Sequence, residues 1–147
     1  MLLSQTAEYA LRAMAHIVLV EGDQASRAKD VAAGTGVPLA YVSKVLQRMV
    51  LVGLLSSQKG HHGGFRLARP ARQVRLLDIL AAVDEMLLAN RCIFGKPSCD
   101  EKHPCPLHTT FFPLKEAVLQ WAERTTLEDV KLGATLTPPA GLPRAMR

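Results

Sequence analysis

The sequence has no stretch apolar enough for a signal-peptide core or a membrane span. Its first hydrophobic pattern, in residues 4–20, is interrupted by Glu8 and Arg12. The expected location is therefore the cytoplasm, with no membrane partner. No nucleophile–base pair and no phosphate-cradling loop is evident, which argues against an enzyme. There is no internal repeat. Cysteine is scarce: there are three in 147 residues. A secreted disulfide framework would favour an even number, and a reducing cytosol points to metal or redox chemistry instead. Acidic residues are scarce in the first half. Residues 1–75 hold ten Lys/Arg against four Asp/Glu, a net of +6, whereas residues 76–147 hold eight against nine, a net of −1. The positive excess thus lies wholly in the first half, as a polyanion-binding face would require.

Residues 4–20, SQTAEYALRAMAHIVLV, place Ala7, Ala10, Leu11, Met14, Ile17 and Val18 on one helical face, with Ser4 as N-cap. In SRAKDVAAGTG, Ser26 is the expected cap of a short helix through about residue 33, stopped by Gly34. Pro38 suits the first turn of a third helix, PLAYVSKVLQRMVLVG, because the N–H it lacks would be unpaired there anyway. A short helix, a GTG turn and a longer helix have helix-turn-helix proportions. The polar face of the third helix offers Tyr41, Ser43, Lys44, Gln47 and Arg48, side chains suited to a major groove. An ordinary amphipathic helix would show the same pattern, so this motif does not decide the function by itself.

LLSSQKGHHGGFRLAR then reads as strand, glycine-rich turn and strand. The turn lies between Lys59 and Arg66, and its glycines let backbone come close to phosphate. A hairpin at this position is a wing. Bases would be read from Tyr41, Ser43, Lys44 and Gln47; Arg48, Lys59 and Arg66, with Lys29, would meet phosphate. Residues 74–88 form another amphipathic helix, and residues 106–124 a long last one, with Pro113 as a kink or restart. Phe111, Leu114, Val118 and Trp121 recur at spacings of 3, 4 and 3, a seam suited to a second subunit. The end of the chain is proline-rich without periodicity and is expected to be a loose tail.

All three cysteines fall in CIFGKPSCDEKHPCPLH, residues 92–108. Pro106 implies that Cys105 caps the last helix, where the helix dipole lowers a thiol pKa. His108 would then be the third helical residue, close enough for both to address one metal. Iron–sulfur centres take thiolates, with histidine as a known substitute. Zinc would accept three cysteines and one histidine, but its sites usually contain a tight cysteine pair. Here six residues separate Cys92 from Cys99, and five separate Cys99 from Cys105. A metal-free thiol switch is the third reading.

The opening SQTAEYALRAM, the turn and helix GTGVPLAYVSKVLQRMVLVGLLSSQKG, the wing HHGGFRLAR, the helix LLDILAAVDE and the three cysteines together resemble the Rrf2 family of winged-helix transcription regulators, over about residues 1–130. The resemblance implies a homodimer that binds a double-stranded DNA operator. It also implies an iron–sulfur cluster on Cys92, Cys99 and Cys105 that controls DNA affinity. Family members with a histidine fourth ligand hold 2Fe–2S, which His108 would match. Others hold 4Fe–4S with a carboxylate from the first helix of the partner subunit, where Glu8 stands. The 2Fe–2S form with His108 is favoured. The first cysteine spacing is one residue longer than in the better-known members, which bears on cluster type. The expected architecture is mainly α with a small β-hairpin wing: a winged helix-turn-helix over 1–75, then a connecting helix, cluster loop (92–108) and dimerisation helix over 76–132, then a flexible tail over 133–147. The alternative is the same fold acting as a cluster-free regulator that depends on thiols or zinc.

Overall fold

A computed structural model of the chain describes residues 3–20, 25–84, 92–97 and 99–136. Helix α1 (Gln5–Leu19) is capped by Ser4, whose Oγ accepts the Ala7 N–H at 3.1 Å. Its apolar stripe, Ala7, Ala10, Ala13, Met14, Ile17 and Val18, is buried. Helices α2 (Ala28–Thr35) and α3 (Leu39–Leu51) follow, joined by a turn in which Gly36 takes φ +71°. Val31, Val37, Val42, Val45 and Leu46 fill the space between them and α1. This is the expected helix-turn-helix.

Two expectations about α2 are corrected. Ser26 does not cap it, and Gly34 does not end it. Ser26 pairs instead with Phe65, N–H to O at 3.0 Å and 2.8 Å, a single bridge that ties the chain before α2 to the hairpin. Gly34 lies within the helix, at a point where a Cβ would run into the His16 ring of α1. The glycine serves close helix packing, not termination.

Strands β1 (Leu55–Gln58) and β2 (Gly64–Leu67) pair antiparallel, Leu55 opposite Leu67 and Ser57 opposite Phe65. Gly64 has φ +145°, and a Cβ on it would stand 2.6 Å from the Ser26 carbonyl oxygen, so glycine is what lets the Ser26 bridge close. The predicted wing is present. A 3-10 turn (Ala71–Gln73) leads to α4 (Leu76–Val83), which contributes Leu76, Ile79 and Leu80 to the same core. The helix expected over 74–88 thus begins two residues later and closes at Asp84, and positions 85–88 lie outside the described residues.

Helix α5 (His108–Arg124) carries Pro113 within it, and the helix continues through that residue. Of its 17 residues only Ala122 is buried. A further helix, α6 (Leu127–Leu136), was not foreseen; it spans the end of the region expected over 76–132 and runs into the expected tail, and residues 137–147 lie outside the described part. Leu127 is fully buried, and α6 packs on α1. The α5–α6 corner is sewn to the start of α4 by two backbone bonds, Leu76 N–H to Thr125 O and Leu127 N–H to Val74 O, each 2.9 Å. Thus α5 leaves the winged unit from a fixed base, with most of its surface uncovered.

Candidate metal centre and nucleic-acid interface

The segment 92–108 is too rich in proline and turns to form a helix, and its order comes from local bonds. Gly95 (φ +69°) turns the chain so that its N–H reaches the Cys92 carbonyl at 2.8 Å. Asp100 accepts the N–H groups of Lys102 and His103 at 2.9 Å and 2.8 Å, folding the second half back on itself. The result brings Cys92, Cys99 and Cys105 together, with their sulfurs all within 4.8 Å of one another. Cys92 and Cys105 are buried, Cys99 is half-buried, and none is in a disulfide.

The predicted capping role of Cys105 is corrected. Helix α5 begins at His108, with Leu107 at the cap position, and a separate turn precedes it in which the His108 N–H bonds the Cys105 carbonyl at 3.0 Å. Prolines on either side of Cys105, at 104 and 106, favour that extended entry over an earlier helix start. His108 therefore approaches the thiols by a different route. Its Nδ1 lies 3.1 Å from the Cys99 Sγ, and its ring stacks on Phe112 one turn on, with centroids 5.1 Å apart and planes at 17°. Ile93, Phe111, Phe112 and Lys115 line the rest of a small recess.

The electrostatics suit thiolate ligands. Burial pushes the Cys92 thiol up, but the N–H groups of Phe94 and Lys96 and the neighbouring thiols outweigh it, so its pKa falls below the usual thiol value. The Phe94 N–H stands 3.4 Å from that sulfur. At Cys99 the N–H of Cys105 pulls the pKa down, yet burial and the thiols of Cys105 and Cys92 prevail and raise it. Three sulfurs this close cannot all ionise cheaply unless a cation shares their charge. The donor set therefore fits a thiolate-bound metal centre.

Glu8 is not in this group within one chain; it pairs with Arg12 at 3.6 Å along α1. His103 pairs with Asp100 at 3.4 Å on the surface.

On the winged unit, Lys29, Tyr41, Lys44, Gln47, Lys59 and Arg66 are exposed, and Ser43 is half-buried. Tyr41 leans edge-on against Tyr9 of α1, centroids 5.5 Å apart, which fixes its ring. Arg48 is also exposed, but its Nε donates to the Ala82 carbonyl of α4 at 2.8 Å. Sequence reading missed Arg27, whose Nη2 donates to the His61 carbonyl at 2.6 Å and bolts the wing tip to the start of α2. Its only sequence signal was a cation beside a turn residue.

A helix-turn-helix followed by a hairpin, with three thiols grouped at the start of a largely uncovered helix, defines the class of winged-helix transcription regulators, here with a thiol group able to hold a metal. Residues 3–131 match the model of Rrf2, described as an iron-dependent transcriptional regulator, and the chain belongs to that family. It is 29% identical over 130 residues to the transcriptional regulator IscR of Xenorhabdus nematophila, covering 88% of this chain and 79% of that one. The IscR of Photobacterium profundum is equally similar, with 75% of its length covered. Among solved structures, CymR, the global cysteine regulator of B. subtilis, superposes with a TM-score of 0.72 at 20% identity, over 89% of this chain and 96% of that one. T. potens IscR superposes with a TM-score of 0.70 at 19% identity, over 95% and 90%. These two likenesses establish the fold. Among the described residues, no helix is long and apolar enough to cross a membrane.

Proposed function

We propose that the chain acts as a homodimer on a double-stranded DNA operator, with an iron–sulfur centre on Cys92, Cys99, Cys105 and His108 controlling its affinity. The observation that carries this reading is the convergence of the three sulfurs with His108 at the first residue of α5. The ligand cluster and the start of the exposed helix are one piece of structure. When the thiolates are held together, residues 92–108 are ordered and the N-terminal end of α5 is fixed. When they are released, α5 loses that anchor, and with it the set relation between two winged units. Such a shift needs only a difference in stability between the two arrangements. The bound centre supplies the chemistry that makes this difference respond to iron supply, oxidants or nitric oxide.

His108 is favoured over Glu8 of the partner subunit as fourth ligand, and 2Fe–2S over 4Fe–4S, because the histidine already touches the thiol group while Glu8 has a partner in Arg12. Tyr41, Ser43, Lys44 and Gln47 are assigned to bases, and Lys29, Lys59 and Arg66 to phosphate. Protein purified without oxygen should be coloured, contain iron and sulfide, and bind its operator with an affinity that changes when the iron is removed. A colourless, iron-free product that takes up zinc in stoichiometric amount would favour a second reading. A single zinc with Zn–S bonds of about 2.3 Å places sulfurs roughly 3.8 Å apart, which three thiols within 4.8 Å also satisfy.

A further inference from the structure

We infer that Arg27 is a positioning residue for DNA binding: its guanidinium holds the tip of the wing to the helix-turn-helix, so that the tip meets the operator in one fixed orientation. The inference rests on the DNA-binding reading of the winged unit and assigns what orients its outermost loop.

A cation is the disfavoured charge at a helix N-terminus, and arginine is not a capping residue. Yet Arg27 stands at the cap position of α2, and its side chain makes no capping bond there. The local energetics of α2 therefore give no reason for this residue. Its backbone is held on both sides. The Arg27 carbonyl accepts the Asp30 and Val31 N–H groups, each at 3.0 Å, and the preceding Ser26 exchanges two bonds with Phe65 of β2. The guanidinium thus leaves from a fixed point beside the hairpin, and its Nη2 donates to the His61 carbonyl at 2.6 Å.

The tip of the wing needs such a bond. A two-stranded hairpin alone is only marginally stable in water. The inner end of this one is anchored, because Leu55 is buried and Phe65 and Leu67 pack against the core. Strand pairing ends at Gln58 opposite Gly64. Beyond it, Lys59, Gly60, His61 and His62 are all exposed, so no burial orients them. The Gly63 N–H bonds the Gly60 carbonyl at 3.0 Å, which closes the turn but does not place it relative to the helices. The Arg27–His61 bond does, and with a charged donor it is of the stronger kind. It fixes the peptide beside which the imidazoles of His61 and His62 project, edge-on with centroids 6.1 Å apart and planes at 69°. These two rings and Lys59 are what the tip offers to the DNA backbone. A tip that is already ordered binds without the entropy cost of being ordered on contact.

Arg27→Met keeps the stem and removes the donor. Full-length wild type and variant, both purified without oxygen, would be compared in two measurements. The first is the backbone order of residues 59–63 in the DNA-free protein, from NMR relaxation. Rigid backbone gives order parameters of about 0.85; in the variant the tip should fall below about 0.6, with α2 and α3 unchanged. The second is affinity for a duplex that the wild-type protein selects from a random-sequence pool, across a salt series. The variant should bind it about fivefold more weakly, the equivalent of one lost hydrogen bond. An unchanged tip overturns the inference; if affinity then falls with a salt slope shallower by about 0.9, Arg27 is itself a phosphate contact. A loosened tip with full affinity also overturns it, since the orientation of the tip would then not matter to binding. A wild-type protein that selects no duplex overturns the DNA-binding reading and the inference with it, and that failure is seen before any variant is compared.

Discussion

The Sγ of Cys99 and the Nδ1 of His108 stand 3.1 Å apart, one from a turn-rich segment and the other from the first residue of a long helix. The imidazole is held by its stacking on Phe112, so its position depends on α5 and not on the cysteine turns. The two residues should therefore fail differently when replaced. Cys99→Ala removes one of three thiolates and should abolish bound iron, read by iron and sulfide analysis after anaerobic purification. His108→Ala leaves the three thiolates in place and should retain part of the iron with a shifted visible spectrum. An unchanged spectrum in His108→Ala, with a changed one in Glu8→Ala, would transfer the fourth position to Glu8 of the partner subunit.

Lys44 is exposed near the middle of α3, with Val45 and Leu46 buried behind it. Replacing it with alanine leaves the core intact. Lys44→Ala should cost about 1–3 kcal/mol of operator affinity and leave the dimer unchanged by sedimentation. Full affinity in this variant would mean that the outward face of α3 is not what reads the operator.

The winged unit was legible because its signals are local. Ser4 before a periodic stripe, a GTG turn, and GHHGG between two apolar pairs each specify their own structure within a few residues. The misread positions owe their roles to residues distant in sequence. Ser26 looks like a cap until Phe65 arrives to pair with it. Gly34 looks like a helix stop because the ring of His16 that it admits is not its neighbour in the chain. The bond from the Arg48 Nε to the Ala82 carbonyl could not be foreseen either, since Ala82 is 34 residues away. In the cysteine segment, the types of the ligands were evident and their approach was not. Pro106 fits a helix starting at once, but the turn closed by the His108 N–H delays it by two residues. Helix α6 was hidden by the prolines beyond it, which end the pattern before a sequence window of useful length can be filled.

Helix α5 presents Leu114 and Trp121, each 46% exposed, and Phe112, 39% exposed, from a helix that buries a single alanine. An isolated helix with so little packing has no reason to remain ordered in water, since most helical stability in proteins comes from a covered apolar face. A second α5 packed along the seam would supply that cover. Trp121→Glu places a charge in the seam and should convert the dimer to monomer by sedimentation, while the winged unit keeps its helical signal. A dimer that survives both Trp121→Glu and Leu114→Glu would locate the subunit contact elsewhere.

Two acidic residues brace the junction between α4, α5 and α6 and make that junction sensitive to acid. Asp78, in the first turn of α4, accepts the Arg75 N–H at 3.0 Å and the Arg75 guanidinium at 2.8 Å. Burial pushes its carboxyl up, but these bonds and the charges of Arg75 and Arg69 outweigh it and hold the pKa below the ordinary value. Asp129, in the first turn of α6, accepts the N–H and the hydroxyl of Thr126 at 2.7 Å and 2.8 Å, and its pKa is lowered by that N–H first and the hydroxyl second. Arg75 and Thr126 are themselves bridged, so both acids brace one seam. A carboxyl with a depressed folded pKa contributes stability that is full above its unfolded pKa, about 3.9, and is lost as pH falls through the lower folded value. The seam should therefore weaken below about pH 4. Asp78→Asn should lower stability to urea at pH 7 by about 1 kcal/mol. At low pH, where the wild-type carboxyl is also neutral, the two proteins should converge. A difference that persists undiminished into acid would mean that Asp78 acts through its shape and not its charge.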